Sequence, residues 1–147
     1  MNYKNIIVAI DGSKEAERAF KKALKIAKQS GGKLFLTHII DIHSLARLEA
    51  FDQSLSERVD QMAQEMMLSY KEQAVNEGID DVTIVIDYGS PKVKIAKDIA
   101  KKFDADLIVC GATGLNAVER FIIGSVSEAI VRHAKCDVLV VRSGEEE

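Results

Sequence analysis

Several residue types are scarce in this chain of 147 residues, and each scarcity excludes a class of protein. There are two cysteines, one proline and no tryptophan. Two cysteines are too few for the disulfide scaffold of a small secreted protein and are typical of reduced thiols in a cytosol. No apolar run approaches the roughly 18 residues of a membrane-spanning helix. The amino terminus lacks a basic and then apolar leader, so we expect a cytoplasmic protein with no membrane partner.

An excess of charge of one sign is also lacking. Lys plus Arg total 20 and Asp plus Glu total 23, which gives a net charge of -3. Such a chain lacks the general attraction to phosphate backbones on which non-specific nucleic-acid binding depends, so we expect no nucleic-acid partner. The composition, 47% hydrophobic and 29% charged, is typical of a globular protein. We predict one domain at residues 1–143 and a solvated acidic tail at 144–147.

Short β-rich segments alternate with helical segments along the chain. The first, Asn5–Ile10, is almost wholly apolar, as expected for a strand covered on both faces of a parallel sheet. Four more strands are predicted at Lys33–Ile39, Val82–Ile86, Leu107–Cys110 and Val138–Val141. This alternation predicts an α/β fold with a single-domain, open, parallel five-stranded sheet and helices on both faces. The pattern alone leaves the strand order open.

Apolar residues spaced three or four positions apart predict the helices between these strands. The first helix includes Ala16–Ala27 and is stopped by Gly31–Gly32. A longer stretch, Leu45–Tyr70, is predicted to be helical with a break near residues 52–54. Pro91 is expected to open the next helix, with Ser90 as its N-cap. Three methionines of the long stretch are assigned to the core: Met62, Met66 and Met67.

The segments that follow the strands are the candidates for a ligand site, because open parallel sheets bind ligands beyond the carboxyl ends of their strands. Gly111, Gly114 and Gly124 follow the fourth strand, and Gly124 with Ser125 opens the last predicted helix. Glycine lets a ligand approach main-chain N–H groups, and a helix N-terminus favours an anion. A phosphate there would receive main-chain donors and hydroxyl donors from Ser125 and Ser127. The competing interpretation is a simple turn, with Ser125 as an ordinary N-cap.

Other motifs carry less weight. The chain has neither a Walker A sequence nor a Gly-x-Gly-x-x-Gly after the first strand, which disfavours P-loop and dinucleotide-binding folds. Asp11 with Asp41 would form a paired-carboxylate site like that of phosphoacceptor receivers, but only one acid follows the first strand. Two interpretations of Arg120 stay open: it contacts a terminal phosphate, or it is a solvated charge on a loop. Five residues are assigned structural or surface roles, without a zinc site: His38, His43, His133, Cys110 and Cys136.

The glycine pattern carries a resemblance to a known family. Gly111-Ala-Thr-Gly114, followed nine residues later by Gly124-Ser-Val-Ser127, resembles the nucleotide signature of the universal stress protein family. The resemblance covers essentially the whole chain and implies the strand order 3-2-1-4-5, with the first and fourth strands adjacent. Three further segments are similar to the family: Ile6–Ser13, His38–Asp41 and Cys136–Arg142.

The resemblance to the ATP-binding branch of that family implies roles for individual positions. Ala9 and Asp11 would line the ribose and the adjacent phosphates, and Asp11 would hold Mg²⁺ through water. Ile39 would contact the adenine with its main-chain groups and its side chain. The strand order would bring Asp11 beside Gly111. The positions implied to surround the phosphates are Gly111, Gly114, Gly124, Ser125, Val126 and Ser127.

We therefore predict an ATP-binding, nucleotide-dependent regulator of a stress response, with no residue assigned to catalysis. The resemblance leaves room for at most slow ATP hydrolysis, or for autophosphorylation at Ser125 or Ser127. The alternative is a nucleotide-free, dimeric interaction protein of the same fold. The resemblance also implies a homodimer formed through Val138–Val141, whereas a monomer whose own tail shields that strand stays open. The protein partner is unknown.

Overall fold

One sheet of five strands organises the protein, whose computed structural model describes residues 2–113 and 123–142. The strands are β1 (Asn5–Ala9), β2 (Lys33–Asp41), β3 (Val82–Gly89), β4 (Leu107–Gly111) and β5 (Asp137–Val141). All neighbouring strands are parallel, and their order is β3-β2-β1-β4-β5. The predicted parallel α/β sheet and the implied order 3-2-1-4-5 are confirmed. The predicted tail at 144–147 lies outside the described residues.

The helices connect these strands as the apolar spacing predicts. They are α1 (Lys14–Ser30), α2 (Ile42–Phe51), α3 (Ser54–Asn76), α4 (residues 91–102) and α5 (Ser125–His133). The predicted break is confirmed, because α2 ends at Phe51 and α3 begins at Ser54. Ser13 caps α1, since its Oγ accepts a hydrogen bond of 3.1 Å from the N–H of Ala16.

Helix α4 departs from regular α-helical geometry. Pro91 opens it, and Ser90 occupies the N-cap, as predicted. Its middle, Lys94–Ile99, is a π-helix, and the N–H of Ala100 donates to the carbonyl of Ile95. Such wide turns are uncommon and short. The apolar spacing of a π-turn overlaps with that of an α-helix, so the sequence pattern did not distinguish the two.

Both faces of the sheet are covered, as the continuous apolar run of β1 predicts. Ile6, Val8 and Ile10 pack with residues of α1 and α3 on one face. Ile7 lies among residues of α4 and α5 on the other face, and Ala9 packs against that cluster. This alternation follows from the two-residue period of a strand. The same period tells which face of the sheet each side chain at the ends of the strands points to.

The buried stripe of α3 differs from the one predicted. Met67 is fully buried and Met66 is half-buried, but Met62 is 62% exposed. The assignment of Met62 to the core is wrong, because this residue lies about 100° around the helix from Ala63, outside the buried stripe. The buried residues of α3 follow a four-three-four spacing: Ala63, Met67, Tyr70 and Ala74.

Gly111 allows α1 to lie directly against the end of β4. A Cβ at this position would come within 2.8 Å of Glu15 Cβ and 2.9 Å of the Glu15 carbonyl carbon and oxygen. Only a residue without a side chain fits such an approach. This contact, together with the pairing of β1 and β4, brings the turn that contains Asp11 next to Gly111.

Larger side chains at Gly111 are expected to destabilise the protein in order of size. We expect Gly111→Ala to lower the free energy of unfolding by about 1–3 kcal/mol through overpacking against α1, and Gly111→Val to lower it further. In open space both changes would stabilise a strand, since Ala and Val are better strand residues than Gly. Urea denaturation measures the sign, and a gain in stability for either variant would contradict the close packing.

Candidate functional site

The carboxyl ends of β1 and β4 meet where the strand connections diverge. β1 pairs with β2 on one side and with β4 on the other. The helix that follows β1, α1, packs on one face of the sheet, whereas α5, which follows β4, packs on the opposite face. A crevice forms at such a switch point in open parallel sheets. The turns after β1 and β4 are therefore the walls of the candidate site.

The turn after β1 holds the carboxylate of Asp11 in place. Asp11 Oδ1 accepts two hydrogen bonds from Ser13, one from its N–H at 3.0 Å and one from its hydroxyl at 2.6 Å. Between them Gly12 has a φ of 87°, which an L side chain rarely adopts. Met66 of α3 backs this turn, with its Sδ 3.6 Å from the position of a Cβ on Gly12. Asp11 itself is exposed, and the two hydrogen bonds from Ser13 fix the orientation of its carboxylate.

His38 contacts the same turn from β2. Its Nδ1 lies 2.7 Å from the carbonyl oxygen of Ile10. A carbonyl oxygen only accepts, so Nδ1 is the donor and the neutral ring carries its proton there. The sequence assigned His38 a structural or surface role, and the structure shows that this role is a hydrogen bond to the Ile10 carbonyl. The sequence pattern missed it because the contact depends on the register between β1 and β2.

Ile39 turns its main-chain groups towards the end of β1. The carbonyl of Thr37 accepts a hydrogen bond of 2.8 Å from the N–H of Ile10, so the main-chain groups of Thr37 face β1. Alternate residues of a strand direct these groups to the same side. Those of Ile39 therefore face the same side, beyond the last β1–β2 pair of Ala9 and Thr37. The Ile39 side chain is 6% exposed and belongs to the cluster on the α4 and α5 face.

The carbonyl oxygen of Ala112 joins the end of β4 to α5. It accepts one hydrogen bond from the N–H of Gly124 and one from the hydroxyl of Ser127, each at 2.7 Å. Gly124 is the N-cap of α5, and the N–H of Glu128 makes the first intrahelical bond, to the Gly124 carbonyl at 3.0 Å. A helix N-terminus offers its first N–H groups and the positive end of its dipole to an anion. The N–H groups that precede the first intrahelical bond belong to Ser125, Val126 and Ser127.

Two expectations for α5 need correction. The N-cap is Gly124 rather than Ser125, which is the exposed first residue of the helix. Ser127 is 4% exposed and directs its hydroxyl to main-chain carbonyls, so it does not offer the expected hydroxyl donor. Its main-chain N–H still belongs to the first helical turn. Gly114 and Arg120 lie outside the described residues.

The remaining candidate groups serve local structure. Asp41 caps α2 by accepting the N–H of His43 at 2.9 Å, whereas Asp11 serves its own turn, so the two carboxylates do not act as a pair. Burial raises the pKa of the Cys110 thiol to about 12 and also raises the pKa of the half-buried Cys136, so both thiols are neutral near pH 7. Neither therefore supplies a thiolate nucleophile.

Residues 2–113 and 123–142 contain neither a cluster of metal-ligating side chains nor a membrane-spanning helix. In that part of the chain, no group of three or more His, Cys, Asp or Glu side chains could hold a metal ion. Across the same residues, no helix is both long enough and apolar enough to cross a membrane.

Comparisons with known proteins identify one family. The model of the universal stress protein family matches residues 2–142. A protein of Staphylococcus saprophyticus that is named as a universal stress protein is 49% identical over 145 residues, which are 99% of this chain and 87% of that protein. The structure of universal stress protein UspA from Lactobacillus plantarum is 33% identical and covers 97% of this chain and 99% of its own, with a TM-score of 0.85. A universal stress protein in complex with cAMP is 25% identical and covers 98% of this chain and 100% of its own, with a TM-score of 0.72.

The different environments of Ser125 and Ser127 predict different costs of removing each hydroxyl. Ser127→Ala deletes a buried hydrogen bond to Ala112 and should lower the free energy of unfolding by about 0.5–1.5 kcal/mol. Ser125→Ala, the matched control in the same helical turn, changes an exposed residue and should stay within about 0.5 kcal/mol of the parent protein. Chemical denaturation of both variants measures the difference. Equal losses would mean that Ser127 does not anchor α5.

Proposed function

Because the chain belongs to the universal stress protein family, we propose that it is an ATP-binding regulator of a stress response, with its nucleotide bound between the turns after β1 and β4. The proposal depends chiefly on the Ala112 carbonyl, which accepts hydrogen bonds from Gly124 and Ser127 and so holds the N-terminus of α5 against the end of β4. The family member in complex with cAMP supports a nucleotide as the class of ligand.

The phosphates would lie at the N-terminus of α5. The first N–H groups of the helix and the exposed hydroxyl of Ser125 supply donors there, and Gly124 has no side chain to obstruct a ligand. Each favourable interaction of a phosphate charge with the helix dipole contributes about 0.3–1 kcal/mol at an exposed site, so several contacts must act together. The residues proposed to surround the phosphates are Gly111, Gly114, Gly124, Ser125, Val126 and Ser127.

The nucleoside would lie across the end of β1. The main-chain N–H and C=O of Ile39 face this space and suit the polar edge of an adenine, while Ala9 and Asp11 would line the ribose. Asp11 Oδ1 is already engaged by Ser13. The other carboxylate oxygen would contact Mg²⁺ through water, and the metal would neutralise phosphate charge. These roles follow the residue pattern of the family's ATP-binding branch.

The proposed protein works by occupancy rather than by fast turnover. Slow ATP hydrolysis is the most we expect of it. Autophosphorylation would fall on Ser125 rather than Ser127, because the Ser127 hydroxyl is buried and bonded to carbonyls. We place the protein in the cytoplasm, acting on an unidentified protein partner. The competing function is a nucleotide-free interaction protein that uses the same sheet only to dimerise.

An acidic side chain at the start of α5 should separate folding from nucleotide binding. Ser125→Glu places a negative charge near the helix N-terminus, which should raise stability without ligand by about 0.3–1 kcal/mol. The same charge repels phosphate and should abolish the stabilisation by Mg-ATP. For the parent protein that stabilisation is about 2.7 kcal/mol at 100 times the dissociation constant, or about 5–10 °C in melting temperature.

Ser69→Glu is the matched control, because it makes the same change at an exposed position inside α3 rather than at the N-terminus of α5. Differential scanning fluorimetry with and without Mg-ATP should show the full shift for this control. A parent protein that melts at the same temperature with millimolar Mg-ATP as without it would contradict the proposed function and favour the nucleotide-free alternative.

The edge strand β5 supports the second part of the proposal, a homodimer. Val141 directs its carbonyl towards β4, where it accepts the N–H of Ala112 at 2.9 Å. Main-chain groups of successive residues point to opposite sides of a strand, so those of Val138 and Val140 point outward from the sheet. An apolar edge with outward N–H and C=O groups is suited to contact with a second copy of the chain.

A proline at the outward position of β5 should therefore disrupt the dimer without breaking the sheet. Val140→Pro removes an outward N–H and leaves the bonds to β4, so the variant should be monomeric while retaining its circular dichroism spectrum. Val140→Ala shortens the same side chain but keeps the N–H, and it should remain dimeric. Light scattering coupled to size-exclusion chromatography distinguishes them. A Val140→Pro dimer of the parent size would exclude β5 as the interface.

A further inference from the structure

The imidazole of His38 is a polar group near the candidate site. None of the proposed nucleotide contacts involves it. His38 lies near the end of β2, on the α1 and α3 face, by alternation with Leu34 and Leu36. Its Nδ1 donates to the carbonyl of Ile10 over 2.7 Å. Ile10 is 3% exposed and is followed directly by Asp11. The ring therefore binds the main-chain carbonyl immediately before Asp11.

This contact occurs where β1 leaves the sheet. The last β1–β2 pair is Ala9 with Thr37, and the N–H of Ile10 then donates to the Thr37 carbonyl at 2.8 Å. The next main-chain acceptor along the chain is the Ile10 carbonyl. It accepts its hydrogen bond from the side chain of His38 rather than from a main-chain N–H of β2. A buried carbonyl needs a donor, and His38 supplies one from a neighbouring strand.

The hydrogen bond also sets the direction of the turn. The Ile10 carbonyl and the Asp11 N–H belong to one planar peptide unit, so holding the carbonyl fixes the plane from which Asp11 starts. At the other end of the turn, Ser13 holds Asp11 Oδ1 with two hydrogen bonds. Gly12 between them adopts a φ of 87°. The turn is thus held before Asp11 by His38 and after it by Ser13.

We propose that His38 is a positioning residue for Asp11, which it orients towards the phosphates and Mg²⁺ through the Ile10 carbonyl. The consequence for ligand affinity rests on the proposed nucleotide function, whereas the effect on the turn does not. His38 contacts neither metal nor nucleotide in this proposal. Because the side-chain nitrogen of asparagine lies as many bonds from the main chain as His38 Nδ1, His38→Asn keeps a donor at this place. His38→Leu removes it.

The first experiment measures the turn without nucleotide. Amide hydrogen exchange should show the Ser13 N–H, which donates to Asp11, exchanging about tenfold faster in His38→Leu, the factor expected for loss of one hydrogen bond. His38→Asn should exchange within about threefold of the parent protein. In the unaltered protein, ¹⁵N NMR should find the ring proton of neutral His38 on Nδ1. A ring proton on Nε2, or unchanged Ser13 exchange in a folded His38→Leu variant, would overturn the proposal.

The second experiment measures coupling to Asp11. His38→Leu should weaken Mg-ATP binding about tenfold in the parent background and by less than about twofold in an Asp11→Ala background. Isothermal titration calorimetry of the four proteins gives this cycle, and His38→Asn should restore affinity. Equal losses in both backgrounds, or no rescue by His38→Asn, would exclude positioning of Asp11. If the parent protein binds no Mg-ATP but Ser13 exchange responds as expected, the nucleotide function fails while the effect of His38 on the turn stands.

Discussion

The carbonyl oxygen of Ala112 determines where the candidate site lies. It accepts hydrogen bonds from the Gly124 N–H and the Ser127 hydroxyl, so the end of β4 and the N-terminus of α5 are held at one atom. Two such bonds contribute about 1–3 kcal/mol together, against a total stability of about 5–15 kcal/mol for a typical domain. Breaking these two bonds alone would therefore cost less than unfolding the domain. A ligand that binds the held arrangement more tightly than the released one would shift the balance between them.

Most of the fold could be predicted from the sequence because its signals are local. The continuous apolar run Asn5–Ile10 indicates a strand covered on both faces, and both faces of β1 are indeed packed. The pause in apolar spacing near residues 52–54 coincides with the end of α2. The order of the strands came from the family resemblance, since no local pattern records which strands are neighbours. The π-helical part of α4 and the exposure of Met62 were missed, because spacing indicates a face but not its exact angle.

The meeting of the ends of β1 and β4 could be predicted from the family resemblance, but the contacts of individual residues there could not. Gly111 was predicted to lie at a phosphate, and the structure shows a packing role for it, the close approach of Glu15 of α1. Ser127 was expected to offer a hydroxyl, which the structure directs to Ala112 instead. His38 was assigned no part in the site, yet its Nδ1 on β2 donates a hydrogen bond to the Ile10 carbonyl at the end of the neighbouring β1. Each of these contacts joins residues at least 15 positions apart in the sequence or on different elements, so only the strand register and the helix packing reveal them.

The kind of donor at the proposed nucleotide site would favour retention of a bound nucleotide over its rapid conversion. The main-chain N–H groups at the start of α5 are fixed by the helix, and they would bind phosphate oxygens in the ground state about as well as in a transition state. Such uniform binding raises occupancy without lowering the barrier to phosphoryl transfer. Fast phosphoryl transfer also needs a group that orients the attacking water and a cation that meets the charge developing on the phosphate. Asp11 has one oxygen committed to Ser13, so its orientation suits a fixed contact to a hydrated cation better than movement during a reaction. A site of this kind would change the protein chiefly by being occupied, which is the property that the proposed nucleotide-dependent regulator requires.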